Sequence, residues 1–378
     1  MPQLTEFANL PNPPFNGSTG VFRNSTIRQT LHMSIGGDQI RVDTAPLNIT
    51  AATIALPLNG APGASAIDPK TLQTLTFSGS PSFSLPNGAL LVSDPVKFPI
   101  EALSTLTVTI YLENGQDAFN VTSHPGSRTT TWMSFGNLVE AANISSESTT
   151  SLEHWYYVSA VETWTTTPAS AFAIIGDSIT DGRGSIDNEN NRWPDLVLAR
   201  MQKNPSTSRI ALNNQAAGGN RILADGNGPN ALGRVERDVL SQSGVKYAMI
   251  FEGVNDIGVA DPSEESQKQI GDQLILAFKQ IVTRIHTFGP NTTIQPYTSP
   301  VREATRQRIN AFIRAPGSFD FVVDFDKVVA DPADPSQLNP AFNSGDFLHP
   351  NVSGYEAMAN IFPLGVFEQF AEGVSRFS

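Results

Sequence analysis

Ser178 stands in Gly176-Asp177-Ser178-Ile179-Thr180, directly after the apolar run Ala171-Phe172-Ala173-Ile174-Ile175. A short apolar run that ends in glycine and a small hydroxyl residue reads as a strand delivering that hydroxyl to the start of a helix. Backbone N–H groups at a helix start lack intrahelical acceptors and carry partial positive charge, so they favour an oxyanion forming beside the serine. The same residues also fit a plain helix cap, with Asp177 or Ser178 bonding the first-turn amides. What the rest of the chain supplies decides between the two.

A serine hydroxyl is inert at its free pKa and needs a base. Of the five histidines, His32, His124 and His154 lie in the first half of the chain. His286 falls near the end of a long helix, where a favourable interaction with the dipole accounts for it. His349 differs, because it stands in Asp346-Phe347-Leu348-His349-Pro350-Asn351. A carboxylate so placed can share a turn with the imidazole and bond its Nδ1–H. That fixes the tautomer leaving Nε2 free to take the serine proton, and it stabilises the imidazolium that forms. A loop Asp–His contact without a catalytic partner is the alternative, and Asp256 is the next carboxylate in line to orient the base. Oxyanion donors are available in Asn213-Asn214-Gln215-Ala216-Ala217-Gly218-Gly219-Asn220, where glycine permits close backbone approach, and in Gly253-Val254-Asn255-Asp256, which offers a side-chain amide. Each block alone also reads as loop punctuation.

These segments need elements to position them. From residue 166 onward strands and helices alternate, with candidate strands at Ala171–Ile175, Arg209–Asn213, Tyr247–Phe251, Thr293–Tyr297 and Phe321–Asp324. The clearest helix is Pro262–Phe288, whose Ile270, Leu274, Ala277, Phe278, Ile281, Ile285 and Phe288 follow a helical spacing. Asp261 with Glu264 reads as its capping box, Pro262 as a first-turn residue, and Gly289-Pro290 as its stop. Such alternation implies a parallel sheet covered by helices, with the ligand site beyond the carboxyl ends of the strands. The chemistry blocks follow the first three of these strands, as that rule requires.

Before the Thr165-Thr166-Thr167-Pro168 seam the texture is rich in Thr, Ser, Val and Ile, as in Thr26–Ile35, Ile40–Thr44, Ala52–Leu58, Leu72–Ser78, Leu90–Ile100 and Leu106–Leu112. Turns such as Pro86-Asn87-Gly88 and Glu113-Asn114-Gly115 separate the runs, and no helical stripe is sustained. Many short strands of this kind predict an all-β sandwich or jelly roll over residues 1–165, followed by an α/β domain over 166–378.

Composition narrows the function classes. A net charge of -12, from 24 Lys and Arg against 36 Asp and Glu, repels phosphate backbones and anionic membranes, so nucleic acid is excluded as a partner. No apolar stretch approaches the roughly 18 residues needed to span a bilayer. With no cysteine, neither disulfides nor zinc–thiolate sites nor a cysteine nucleophile exist, and no residue cluster calls for a metal or another cofactor. Sequons begin at Asn16, Asn24, Asn48, Asn120, Asn143, Asn291 and Asn351. With the acidic balance and low lysine content they point to a secreted glycoprotein, its signal peptide absent from this sequence.

Together, Gly176-Asp177-Ser178-Ile179-Thr180, the glycine block ending at Gly219, Gly253-Val254-Asn255-Asp256 and Asp346-Phe347-Leu348-His349 resemble the four blocks of the SGNH (GDSL-type) hydrolase family, over roughly residues 170–370. The resemblance implies a flavodoxin-like three-layer α/β/α domain with Ser178 as nucleophile, His349 as general base and acid, and Asp346 as its orienter. It implies an oxyanion hole of the Ser178 N–H, the Gly219 N–H and the Asn255 amide, with Gly218 the nearest alternative to Gly219. The run from Asp181-Gly182-Arg183-Gly184 through Asn191-Arg192-Trp193-Pro194-Asp195 resembles a subgroup of extracellular two-domain esterases and acylhydrolases from bacteria and fungi. His32-Met33-Ser34-Ile35-Gly36-Gly37 looks like part of that subgroup's N-terminal β-domain. Glu252 before the third-block glycine and a short Tyr297–Glu303 loop depart from the pattern.

The expected activity is therefore carboxylester hydrolysis through an acyl-enzyme, with an acetylated or otherwise acylated carbohydrate as the favoured substrate. A lysophospholipase or thioesterase using the same triad is the first alternative, and a carbohydrate-binding surface protein with an inactive hydrolase half is the second. A glycosidase using Asp177 and Asp181 leaves the Ser–Asn–His pattern without purpose. Trp193 and Arg183 are the candidate pocket residues, with Arg192 a further steering cation. Trp193 also fits as packing for the helix it begins.

Overall fold

The structure is a computed structural model that describes residues 4–6, 9–18, 20–44, 48–86, 89–165, 167–285 and 299–373. The expected strand Thr293–Tyr297, the helix end at Phe288 with Gly289-Pro290, His286, the Asn291 sequon and the Asn87-Gly88 turn lie outside those residues. Of the expected Tyr297–Glu303 loop, Tyr297 and Thr298 also lie outside them, and Pro300–Glu303 is instead the first turn of the helix Pro300–Arg314. The fold is mixed α/β. The chain divides into two compact units, one of Gln3–Pro168 with Asp187–Asn190, the other of Ala169–Ile186 with Asn191–Ser378.

In the first unit a six-stranded antiparallel sheet runs in the order Thr150–Leu152, Thr131–Phe135, Ser25–His32, Thr105–Leu112, Ala51–Ala55, Gln73–Thr74. Strand Thr105–Leu112 is buried along its whole length. One face presents Leu106, Val108, Ile110 and Leu112 to a core shared with Ile40, Val42 and Phe98 of a second sheet and Val121 and Tyr156 of a third. The other face carries threonines and meets the buried Arg28, whose guanidinium reaches Thr109 Oγ1 at 3.0 Å and the carbonyls of Ser65 at 2.7 Å and Ala141 at 2.8 Å. A buried cation needs such partners, and here they tie two loops to the sheet. The expected long run Leu90–Ile100 is instead two short strands, Leu91–Val92 and Val96–Ile100, broken at Asp94-Pro95, where proline cannot donate to a ladder.

The second unit is built on a parallel sheet in which Ser170–Gly176 lies between Ile210–Asn214 and Val245–Phe251. The central strand is an apolar run buried from Ala171 to Gly176, as a strand inside a parallel sheet must be. Helices Trp193–Gln202 and Val352–Ile361 pack together, and Trp193, Phe251, Phe325 and Phe362 form an aromatic cluster beneath the strand ends. Phe321–Asp324, expected as a strand, pairs with no strand among the described residues. Its Asp324 instead caps the helix Phe325–Val329 and binds Arg314. The long helix begins at Glu264, after Pro262, so the expected capping box does not form. Asp261 accepts from the Ser263 N–H at 2.8 Å, and Ser263 Oγ faces the Ser266 N–H at 3.4 Å. Among the described residues no helix is long and apolar enough to cross a membrane.

Candidate active site

Of the Asp177-Ser178 pair, Asp177 is the residue that caps the helix. Asp177 leaves the central strand extended (φ -101°, ψ -158°) and caps the helix Ser178–Asp181, its Oδ1 accepting the Ile179 N–H at 3.0 Å. Ser178 is thereby the first helical residue, released from capping. Its own N–H has no intrahelical acceptor, since the first N–H groups of any helix lack one.

Ser178 Oγ lies 2.6 Å from His349 Nε2, and His349 Nδ1 lies 2.6 Å from Asp346 Oδ2. A carboxylate only accepts, so Nδ1 donates and the neutral ring presents Nε2 as acceptor to the serine hydroxyl. The Asp346 turn is fixed by its other oxygen, Oδ1, which accepts the N–H groups of Leu348 at 3.1 Å and His349 at 2.9 Å. Partial burial works to raise the Asp346 pKa. The His349 backbone N–H, the imidazole and the Leu348 N–H outweigh it and hold the carboxyl at about 2. The carboxyl beside the imidazole is thus held in its ionised form.

Both candidate oxyanion glycines, Gly218 and Gly219, lie in the loop after Ile210–Asn214. The Gly218 N–H is committed to Asp181 Oδ2 at 2.9 Å, which leaves Gly219 as the donor candidate. Gly219 has φ +73°, a conformation that favours glycine, and a Cβ there would stand 2.4 Å from Asn227 Nδ2. Asn255 is 8% exposed and gives one amide hydrogen to the Asn220 carbonyl at 2.9 Å, which locks its side chain in the site. Asn255→Ala is expected to cut kcat by about 10²–10³ with KM far less changed, as for a donor whose bond tightens in the transition state. Steady-state kinetics check this, and a raised KM with kcat intact would reassign Asn255 to ground-state binding. Asp256, the fallback orienter, is occupied elsewhere, its oxygens accepting the N–H groups of Ile222 and Leu223, both at 2.9 Å.

Sequence reading missed the group that gathers these segments. Arg234, fully buried, bonds Asn220 Oδ1 at 3.0 Å, the Gln215 carbonyl at 2.6 Å, Asp238 at 2.8 Å and, more weakly, the Gly176 carbonyl at 3.4 Å. It also stands 3.6 Å from Glu252 Oε2. One guanidinium therefore reaches the ends of the three strands this sheet has among the described residues. Glu252 is buried, with no hydrogen-bond partner for either oxygen among the described residues. Burial pushes its pKa up, Arg234 works against that, and Asp177, Asp256 and Asp238 reinforce it, to about 8. Burial likewise raises Asp177 to about 7, against the Ile179 N–H and with Asp256 and Asp181. The signal was present in Glu252 itself, because a carboxyl closing a buried apolar strand requires a nearby cation or a proton.

Three expectations are corrected. Trp193 lines no pocket. It is 0% exposed, its indole packed against Phe325 at 5.1 Å and Phe362 at 6.2 Å, because it opens a helix whose inner face meets the aromatic cluster. Arg192 is buried beside Asp195 and cannot steer a ligand from solvent. Asn351 is a poor glycan acceptor, since its Nδ2 donates to the carbonyls of Ala341 and Asn343 while its Oδ1 caps the following helix at Gly354. Arg183, by contrast, is largely exposed, with its Nε 3.7 Å from Asp346 Oδ2.

No curated protein matches the chain. Among solved structures it is similar to a family two carbohydrate esterase from Clostridium thermocellum in complex with cellohexaose (13% identity, 94% of this chain and 97% of that one, TM-score 0.40). It is similar to a family two carbohydrate esterase from Cellvibrio japonicus (11% identity, 94% and 92%, TM-score 0.37). A carbohydrate acetylesterase family member from Sinorhizobium meliloti is similar over half the chain (14% identity, 53% and 99%, TM-score 0.34). The model of the GDSL-like Lipase/Acylhydrolase family matches residues 174–357, a span that takes in every catalytic candidate from Ser178 to His349. Residues 174–357 therefore belong to the GDSL-like lipase/acylhydrolase family, and the chain is a carboxylic ester hydrolase.

Proposed function

We propose that the chain hydrolyses esters of acylated carbohydrate through a covalent acyl-enzyme on Ser178. The single observation that carries this reading is the continuous hydrogen-bonded line Ser178 Oγ–His349 Nε2, His349 Nδ1–Asp346 Oδ2, at 2.6 Å for each link. Ser178 attacks the acyl carbonyl as His349 takes its proton, and Asp346 stabilises the imidazolium. The carbonyl oxygen becomes an oxyanion held by the N–H groups of Ser178 and Gly219 and the Asn255 amide. Collapse breaks the C–O bond, with the His349 proton passing to the leaving alcohol. Water, deprotonated by His349, then attacks the acyl carbon and frees Ser178.

The alcohol half is assigned to a sugar because polar, solvent-exposed groups stand at the triad: the side chains of Arg183 and Asp346 are 63% and 39% exposed. Hydroxyl-rich groups suit that surround better than a long acyl chain does. Residues 166–378 form the catalytic domain in this reading, a flavodoxin-like three-layer α/β/α fold. Residues 1–165 form an accessory β-sandwich of jelly-roll type, and the protein works outside the cell.

A panel of p-nitrophenyl esters of rising acyl length, acetylated xylan, pectin and mannan, lysophospholipid and an acyl thioester tests the reading. Release of acetate from a polysaccharide with kcat/KM above that for lysophospholipid and thioester is the expected result. Turnover confined to lysophospholipid or thioester would replace the carbohydrate reading, and no turnover of any ester by a folded protein would end it.

A further inference from the structure

Phe347 carries two costs that its neighbours do not explain. It sits in the left-handed region at φ +61°, where a side chain bearing Cβ is strained, and its ring is left 68% exposed to water. The other large apolar residues at positive φ among those described are Phe22, Leu103 and Tyr157. Phe22 and Tyr157 are both 0% exposed, so burial in the core offsets their strain. Phe347 has no such offset. Nor does the loop need its ring: Asn343 Oδ1 accepts the N–H groups of Gly345 and Phe347, both at 2.9 Å, and Asp346 Oδ1 accepts those of Leu348 and His349. Glycine at this position would satisfy every one of these bonds without strain. Backbone strain and an exposed aromatic ring thus coincide between the orienting carboxylate and the catalytic base, and strain held in place by its surroundings is characteristic of ligand-binding sites.

We infer that Phe347 is a specificity-determining platform whose ring stacks on the sugar ring of the leaving alcohol. The electron-rich face of a phenyl ring meets the C–H face of a pyranose, and the contact removes apolar surface of both from water. This inference rests on the carbohydrate reading above. It adds that recognition lies on the base loop itself, beside the scissile bond.

The test uses the full chain and two acetates with the same acyl group, acetylated xylose and ethyl acetate. Both pass through one triad, so any slackening of the His349 loop cancels in the ratio of their kcat/KM values. Phe347→Gly is expected to lower that ratio by about tenfold, mainly through KM on the sugar ester, without lowering the thermal midpoint, and Phe347→Trp to restore it. An unchanged ratio in Phe347→Gly would overturn the platform. Should the wild-type chain fail to hydrolyse acetylated xylose, the carbohydrate reading falls, and phenyl acetate against ethyl acetate then decides on Phe347. A ratio lowered in that pair keeps the ring as a stacking surface, and an unmoved one removes it.

Discussion

Ser178→Ala abolishes ester hydrolysis and leaves the protein folded. The two halves of this expected result come from different residues. Capping of the nucleophile helix belongs to Asp177, through its 3.0 Å bond to the Ile179 N–H, so the alanine variant keeps its helix start. The Ser178 hydroxyl faces His349 Nε2 at 2.6 Å, and removing it deletes the atom proposed to form the acyl bond. Circular dichroism and the thermal midpoint should match the parent, while turnover falls to what the oxyanion donors alone sustain. An organophosphate should label Ser178 in the parent and nothing in the variant. Labelling at another serine, with Ser178 untouched, would remove the mechanism.

Asp346→Asn is expected to slow the enzyme by about 10²–10⁴, the upper end being the loss for the equivalent change in a serine protease triad. The amide can keep accepting from the Leu348 and His349 N–H groups through its oxygen, so the turn survives. Its nitrogen then faces His349 Nδ1 and must donate to it, which puts the ring proton on Nε2, where it faces Ser178 Oγ and cannot take a proton. The charged imidazolium also loses its counter-ion. His349→Ala should be at least as damaging, and the double variant little worse than either, because the pair acts as a unit. In the parent, kcat/KM is expected to fall on the acid side as His349 becomes protonated. Losing the carboxylate disfavours the protonated ring, so the residual activity of Asp346→Asn should have its acid limb at lower pH. Near-normal turnover in this variant would mean that another group orients the base.

Much of this site was legible because its parts are local. Ser178 behind an apolar run, Asn255 behind another, and Asp346 one turn before His349 each express chemistry through short spacing, which sequence displays directly. What it hid depends on tertiary partners. Arg234 looks like an ordinary helix arginine until the fold brings Gly176, Gln215, Asn220 and Glu252 around it. Trp193 could equally have lined a cleft or filled a core, and only the approach of Phe325 and Phe362 decides it. Phe321–Asp324 has the apolar, β-branched look of a strand, yet a strand exists only where a neighbour pairs with it. The conformation of Phe347, which sets its strain, goes with the hydrogen bond its N–H donates to Asn343 Oδ1 and leaves no mark in composition.

The buried carboxyls of Asp177 and Glu252 make folding a proton-uptake reaction. In the unfolded chain they release their protons near 3.8 and 4.5, whereas the folded protein holds them to about 7 and about 8. Between those limits the native state binds more protons than the unfolded one, so these two groups make stability fall as pH rises, levelling off only above about 8. Asp346 works in the opposite sense: its depressed pKa contributes stability that is present above 3.8 and is lost as pH falls toward about 2. The fold is therefore pulled from both sides toward mildly acidic conditions. Glu252→Gln keeps the shape of the protonated acid and cannot ionise, so its thermal midpoint relative to the parent should climb steadily from pH 5 to pH 8. A difference that stays flat over that range would mean that Glu252 is already ionised, and that Arg234 rather than a proton answers its charge.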